Sequence, residues 1–418
     1  MDLEVVHERV AALDISKSDV KVAVRTPGKR RGHRHTEKRV FTTMTGDLLA
    51  LRDWLEQVGV TRIAMEATGD YWKAPYYVLT SLCEVILANA AAVKAMPGRK
   101  TDMADAVWLA VLLERGMVRS SFVPPEDIQQ LRDLTRYRSA LVAEATREKN
   151  RAEKELEGAG IKLSVVISDI FGVSGRLMLR ALIDGERDPK TLAEFAQGRM
   201  RSKIATLERA MLGRFGEHHA FLVRLHLRRV EAIEADIAAL EARIEEMVAP
   251  FRDAIKLLIT IPGVSCDVAH VIIAETGGDM SVFATPQQLC SWGGVAPGNH
   301  QSGPRRKKAA ATHGDSWLRA ALGIAALAAS RTNNTYLGAT YRRYCRRMPK
   351  LKALVALQHS ILDAVWHMLT DKVPYRDLGA DYHARRNPHK TITQALRMLN
   401  AAGFTATITP IPQPTPTA

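Results

Sequence analysis

"VAALDISKSDVKVAV" (residues 10–24) holds two short apolar runs, VAALD at 10–14 and VKVAV at 20–24, parted by the turn-like ISKSD. Valine- and alanine-rich runs divided by Ser, Lys and Asp read as two β-strands joined locally. Working outward, "RVFTTM" (39–44) makes a third strand and "DLLALRDWLEQVG" (47–59) a helix that ends at Gly59. "TRIAME" (61–66) and "EVILAN" (84–89) read as strands on either side of a helix over "YWKAPYYVLTSLC" (71–83), whose start Pro75 limits. A nearly all-apolar helix in "GRKTDMADAVWLAVLLERG" (98–116) closes the series. Three locally joined strands followed by helix–strand–helix–strand–helix predict an α/β domain with a mixed sheet.

From about residue 126 the pattern changes to long helices. "LRDLTRYRSALVAEATREKNRAEKEL" (131–156) is charged and amphipathic. Val230, Ile233, Ile237, Leu240, Ile244 and Met247 step by three and four, a heptad seam of about three repeats. Such a seam serves equally an internal antiparallel helix pair or a dimer. Residues 157–215 read as irregular helices broken at Gly172, Gly175 and Gly185. A third region, 251–385, holds "LITIPGVSCDVAHVIIAETG" (258–277), a long loop (293–316) and helices from Trp317. A basic helix follows, and the Pro/Thr-rich end (405–418) predicts a disordered tail. The chain thus divides into 1–125 (α/β), 126–250 (helical, coiled-coil-like), 251–385 (mainly helical) and 386–418.

The 418 residues carry 59 Lys and Arg against 45 Asp and Glu, a formal charge of +14 that suits a polyanionic partner. Cys83, Cys266, Cys290 and Cys345 form no C-x-x-C pair, which argues against a structural zinc site or a disulfide framework and fits a reducing cytoplasm. The charged start lacks a leader's apolar segment, and no apolar run approaches the ~20 residues of a membrane span, so a soluble intracellular protein is expected.

Two aspartates, Asp102 and Asp105, open the apolar helix of 98–116, three apart and so on one face. Singly, each would be read as complementing the helix dipole, worth ~0.3–1 kcal/mol. But that face runs on through Leu109 and Leu112, so the acids stand at the end of a buried stripe. Two carboxylates held close there repel, which raises one pKa unless a divalent cation resolves the conflict. Asp14 and Glu66 each follow an apolar strand run. Four converging carboxylates suit magnesium or manganese, and two such ions can hold both the attacking and leaving oxygens of a phosphodiester.

The order Asp14, Glu66, Asp102, Asp105, with "MEATGDYW" and "GRKTDMADA" around the last three, resembles the DEDD-type insertion-sequence transposases. Their relatives include the Piv-type DNA invertases and the bridge-RNA-guided recombinases. The resemblance spans roughly 8–385 and implies a ribonuclease H-like, RuvC-like N-terminal domain, whose element order the strand and helix series matches. One departure is that "ALDISKSD" carries Leu13 and Ser16 where relatives often read "GIDVAK". The resemblance further implies DNA as substrate, the four acids as ligands of Mg2+ (or Mn2+), a structured guide RNA as partner, and a homo-oligomer, dimer or tetramer. The guide would read sequence by pairing while the protein reads shape and phosphate. It also places a nucleophilic serine in a Ser-Gly step of the C-terminal domain, matched here by Ser302-Gly303.

From the residues alone, Ser302 in "NHQSGPRRKK" (299–308) reads as a turn residue and the basic run as a solvated loop. A serine needs proton removal and charge stabilisation to attack phosphorus, which metals and nearby cations can supply. His300 and His313 lie close in sequence but read as structural or phosphate-contacting. Expected nucleic-acid contacts are Arg30, Arg31, Arg99, Lys100, Arg305, Arg306, Lys307, Lys308 and Arg319, with a basic loop over 25–39 and a run of later arginines (Arg331, Arg342, Arg343, Arg346, Arg347). "IPGVSCDVAHVI" is similar to a helix-hairpin-helix turn, whose amides can bind a phosphate. Two other readings stay open: a RuvC-like, metal-dependent, structure-specific nuclease using water, and a non-enzymatic coiled-coil organiser of nucleic acid.

Overall fold

The structure is a computed structural model that describes residues 4–30, 32–66, 69–88, 102–118, 120–298, 300–302, 305–307, 311 and 314–409, with the backbone alone at 102, 300–302, 305–307 and 390. The chain divides into two compact units, Met1–Val123 and Pro124–Ala418.

The first unit runs β1 (Val10–Ile15), β2 (Asp19–Pro27), β3 (Arg34–Thr42), α1 (Thr45–Val58), β4 (Arg62–Glu66), α2 (Lys73–Leu79), β5 (Glu84–Ala88) and α3 (Asp102–Glu114). Its five-stranded sheet has the order β3-β2-β1-β4-β5. The three strands joined by short turns pair antiparallel, and β1, β4 and β5, joined through helices, pair parallel. That is the expected mixed sheet, for parallel neighbours need a crossover. In the first turn Ser16 Oγ accepts from the Asp19 amide at 3.1 Å and lies 2.9 Å from the Asp19 carboxylate. Gly59, at φ 71°, takes the left-handed conformation that ends α1 and sends the chain into β4.

Alternation along the strands builds two cores. Leu13, Ile15, Val22, Ile63, Met65 and Leu87 face α1 and α2, meeting Leu48, Leu51, Trp54 and Leu55. Val10, Ala12, Ala23, Ala64, Ile86 and Ala88 face α3, meeting Ala106, Leu109, Ala110 and Leu113. Small alanines on that side let the helix approach closely.

Two expectations need correction here. Residues 25–39 are not a loop: β2 runs to Pro27, β3 begins at Arg34, and Gly28 N–H donates to the His33 carbonyl across the turn at 2.8 Å. The third strand therefore starts before the apolar run at 39. An edge strand has a neighbour on one side only and carries charged residues without apolar alternation. Helix α2 is also shorter than 71–83.

The second unit is mainly helical, with α4 (Glu126–Gly158), α5 (Leu163–Val166), α6 (Val173–Ile183), α7 (Pro189–Glu194), α8 (Ile204–Ala210), α9 (Glu217–Met247), α10 (Arg252–Leu258), α11 (Cys266–Thr276) and α12 (Pro286–Trp292). A hairpin of β6 (His300–Ser302) and β7 (Arg305–Lys307) follows, then α13 (Ser316–Ser330), α14 (Tyr336–Cys345), α15 (Lys350–Asp371), α16 (Tyr382–Arg386) and α17 (Pro388–Ala401). The loop expected over 293–316 thus contains a hairpin. Its strands, HQS and RRK, offer no apolar residue by which to recognise them.

Helices α4 and α9 lie antiparallel. Arg138 meets Glu241 at 2.6 Å, Lys149 meets Glu234 at 2.9 Å and Glu148 meets His226 at 2.8 Å, so the numbers rise on one helix as they fall on the other. Ile233 packs with Leu141 and Ala145, and Ile237 and Leu240 close over them, so the heptad seam is satisfied within the chain. At the far end of the pair, α5–α8 surround a core that includes Leu156, Phe171, Met178 and Leu207. Gly175, expected as a helix break, instead lies inside α6 and is required there for close packing, because a Cβ would lie 2.1 Å from the Ile170 carbonyl oxygen. Among the described residues no helix is long and apolar enough to cross a membrane. Of the expected Pro/Thr tail, residues 410–418 lie outside the described residues.

Candidate catalytic carboxylates and the serine hairpin

The acids gather through strand register. Parallel pairing sets Leu13 beside Met65, so Asp14 and Glu66, one residue further on, leave adjacent strands side by side. Both continue the alternation of Val10, Ala12 and Ala64, which places them on the sheet face that α3 covers. Each is half-buried. The amides of Val6 and His7, just before β1, donate to the Glu114 carbonyl at the end of α3 at 2.9 and 3.0 Å. The helix therefore runs back against β1. Its 13 residues span about 20 Å, the length of a six-residue strand, so its start arrives at the end of the sheet where Asp14 and Glu66 emerge. Asp102 opens that helix, and Asp105 is exposed one residue before the buried Ala106.

These positions share one edge of one sheet face. Among the described residues, Asp14, Glu66 and Asp105 do not form a group whose oxygens all lie within 4.8 Å of one another. The side chain of Asp102 lies outside what is described. An all-oxygen donor set of this kind, partly open to solvent, fits a hard divalent cation and would not fit a soft one.

Sequence reading overlooked Lys21. Antiparallel register places it directly opposite Asp14, hence on the same face, where it brings a positive charge to the acids. The signal was present in VKVAV, whose polar member falls on the same side as Ala23 and Arg25. Sequence reading also grouped Arg25 and Arg34 with the basic surface, whereas both grip Glu114, which is 1% exposed. Arg25 Nε lies 2.8 Å from its carboxylate, and Arg34 is its second partner. They hold α3 to the sheet. Arg30 remains exposed on the turn; Arg31, Arg99 and Lys100 lie outside the described residues.

In the second unit, Ser302 ends β6 and pairs with Arg305 at the start of β7, with Gln301 opposite Arg306 and His300 opposite Lys307. The serine thus sits on the tight end of a hairpin whose return strand is wholly basic. The root of this segment is fixed. A Cβ on Gly314 would lie 2.2 Å from Gly294 N, so the outgoing and returning backbones touch there. Asp315 N–H donates to the Trp292 carbonyl at 3.0 Å, and the Asp315 carboxylate caps α13 through the Leu318 amide at 2.7 Å. Arg136 of α4 reaches Asp315 at 3.2 Å while binding the fully buried Glu275 through two 2.8 Å contacts. The serine segment is therefore rooted in α12, α13 and the long α4. Lys308 and His313 lie outside the described residues, and Arg319 is exposed on α13.

The segment similar to a helix-hairpin-helix turn joins α10 to α11. There Gly263, at φ 94°, abuts α13: a Cβ would stand 2.4 Å from the Ala325 carbonyl oxygen. Ser265 caps α11 through the Val268 amide at 3.3 Å. Of the later arginines, Arg342 donates to the Thr332 and Asn333 carbonyls at 3.0 and 2.9 Å, bracing the turn before α14.

Comparison with known proteins finds transposases over both units. A transposase family model, for the DEDD domain of IS110 elements, matches residues 11–161, which contain all four acids. A second, described as "Transposase IS116/IS110/IS902 family", matches residues 255–342, which contain the serine hairpin. Together they cover more than half of the chain. The "Probable family 20 transposase" of Pseudomonas aeruginosa is 26% identical over 333 residues, covering 78% of this chain and 89% of that protein. The "Insertion element IS900 uncharacterized 42 kDa protein" of Mycobacterium paratuberculosis is 27% identical over 305 residues, covering 66% and 73%. The protein is a DNA transposase, an enzyme that moves DNA segments by cutting and joining strands. It belongs to the IS116/IS110/IS902 family of insertion-sequence transposases.

Proposed function

We propose that this transposase cuts and rejoins DNA with Ser302 as nucleophile and with Asp14, Glu66, Asp102 and Asp105 as ligands of divalent cations. The observation that carries the reading is the emergence of Asp14 and Glu66 side by side at the sheet edge to which α3 returns Asp102 and Asp105. The strand order β3-β2-β1-β4-β5 supports a ribonuclease H-like, RuvC-like domain, within the four-part organisation 1–125, 126–250, 251–385 and 386–418. When bound, Mg2+ or Mn2+ would polarise the phosphodiester and lower the cost of forming an alkoxide. Ser302 Oγ forms the new bond to phosphorus as the bond to the 3′ oxygen breaks, and the hydroxyl proton passes to solvent. The result is a transient phosphoserine link, and the freed 3′ oxygen takes part in strand exchange. Arg305, Arg306 and Lys307 hold the phosphate beside the serine, with Arg30, Arg31, Arg99, Lys100, Lys308 and Arg319 along the nucleic acid.

The net charge of +14 suits nucleic acid, and the resemblance to RNA-guided recombinases implies a structured guide RNA as the reader of the target. The protein would then act as a homo-oligomer, dimer or tetramer, in the cytoplasm and on the nucleoid. The test is a denaturing gel of protein with nicked target DNA, the guide RNA transcript and Mg2+. A covalent protein–DNA adduct is expected in the wild type, lost with EDTA and lost in Ser302→Ala. Cleavage that survives Ser302→Ala would transfer the role of nucleophile to water and overturn the serine reading.

A further inference from the structure

We propose that Glu245, Cys266 and His270 form a second metal site, for zinc, that ties the end of α9 to the start of α11. Cys266 Sγ and His270 Nε2 stand 3.3 Å apart, and His270 Nε2 lies 3.6 Å from Glu245 Oε1. All three ligand atoms fall within 4.8 Å of one another, the one such group of His, Cys and acidic side chains among the described residues. A tetrahedral zinc ion, with bonds of about 2.3 Å to sulfur and about 2.0–2.1 Å to nitrogen and oxygen, sets its ligand atoms about 3.4–3.6 Å apart. The 3.3 and 3.6 Å separations are close to those values. Cys266 and His270 are four apart on α11 and so share a face; Glu245 approaches from the last turn of α9.

Their surroundings suit a cation. The three line a cleft together with Arg138, Glu241 and Asp267. Arg138 is bound to Glu241 at 2.6 Å and to Asp267 at 2.8 Å, so three carboxylates stand against one guanidinium. His270 is buried, whereas Cys266 and Glu245 are exposed, which leaves the solvent side open for water or a nearby carboxylate as fourth ligand. A sulfur, nitrogen and oxygen donor set selects a borderline ion such as Zn2+ over the Mg2+ suited to oxygen-only sites.

Zinc is bound by a thiolate and a neutral imidazole, so the Cys266 thiol must give up its proton. Binding forms a sulfur–zinc bond as that proton leaves to solvent. The helix-hairpin-helix-like turn would then be braced to the long helical arm by a bond that responds to metal supply.

Cobalt titration of the full-length protein, in excess Mg2+ to fill oxygen-only sites, tests the proposal. One equivalent of Co2+ is expected to produce the visible bands of a tetrahedral site and a near-ultraviolet thiolate-to-cobalt band, both abolished by zinc. Cys266→Ser removes the thiolate band, and Glu245→Gln weakens cobalt binding by about tenfold or more; both positions are exposed, and circular dichroism verifies the fold. No thiolate band in the wild type, a band that survives Cys266→Ser, or unchanged affinity in Glu245→Gln overturns the site. The readout does not depend on DNA cleavage, so it stands apart from the serine mechanism.

Discussion

At one end of α3, Glu114 is 1% exposed and gripped by Arg25 and Arg34; at the other, Asp105 stands exposed beside the edge where Asp14 and Glu66 emerge half-buried. One helix thus carries acids in two opposite settings. A buried carboxylate matched by two guanidinium groups is an anchor, since removing one partner leaves the others charged and desolvated. Carboxylates that are half-buried or exposed contribute less to packing than a buried, matched one. The same contrast separates Glu275, fully buried between Arg132 and Arg136, from the exposed Glu245 at the proposed zinc site. Burial with matched arginines marks structural acids here, and partial exposure marks the candidates for chemistry.

The sharpest way to break the comparison is to neutralise both ends of α3. Asp14→Asn, Glu66→Gln and Asp105→Asn should each reduce strand transfer by roughly 10²-fold or more while leaving thermal unfolding nearly unchanged. Glu114→Ala should instead destabilise the first unit by about 3–5 kcal/mol, measured by urea titration. If the edge acids prove as destabilising as Glu114, the division fails.

A smaller effect probes the arm. Burial alone would raise the Glu148 carboxyl, but hydrogen bonds from His226 and Arg151 outweigh it and hold the group below its ordinary value. A depressed carboxyl contributes stability above its unfolded value, near pH 4.3, and loses it as the pH falls through the lower folded value. The melting temperature of the wild type should therefore fall as pH drops below about 4–5, and Glu148→Gln should flatten that slope.

The smallest concerns the cap of α11. Ser265→Ala removes the hydroxyl that accepts from the Val268 amide and should lower stability by about 1 kcal/mol, read as a reduced urea midpoint at unchanged slope. Loss of several kcal/mol would mean that the turn does more than cap a helix.

Much of the first unit was legible because its central strands are buried on both faces. VAALD, VKVAV and TRIAME declare themselves by apolar content, and β1, β2 and β4 fall where those runs lie. β3 was half hidden, since an edge strand tolerates charge, and the hairpin carrying Ser302 was wholly hidden in a basic, glycine-bounded run. The four acids were legible as a pattern, but Lys21 emerged only when register set it opposite Asp14. Arg25 and Arg34 looked like surface charge because Glu114, their partner, is far along the chain. The heptad seam was evident in its spacing, yet its occupant was not, for apolar periodicity is the same whether the facing helix belongs to the same chain or to another.

By itself the sequence determined the alternation of buried and polar positions, the helix end at Gly59 and the order of acids along the chain, because these depend on neighbours a few residues apart. Tertiary structure alone decided which charges meet: Glu114 with two arginines, the α9 seam with α4, and Cys266 and His270 with Glu245. Those pairings join residues that only folding brings within a few ångströms, and at that range desolvation and Coulomb attraction decide whether an acid anchors the fold or stays open to an ion.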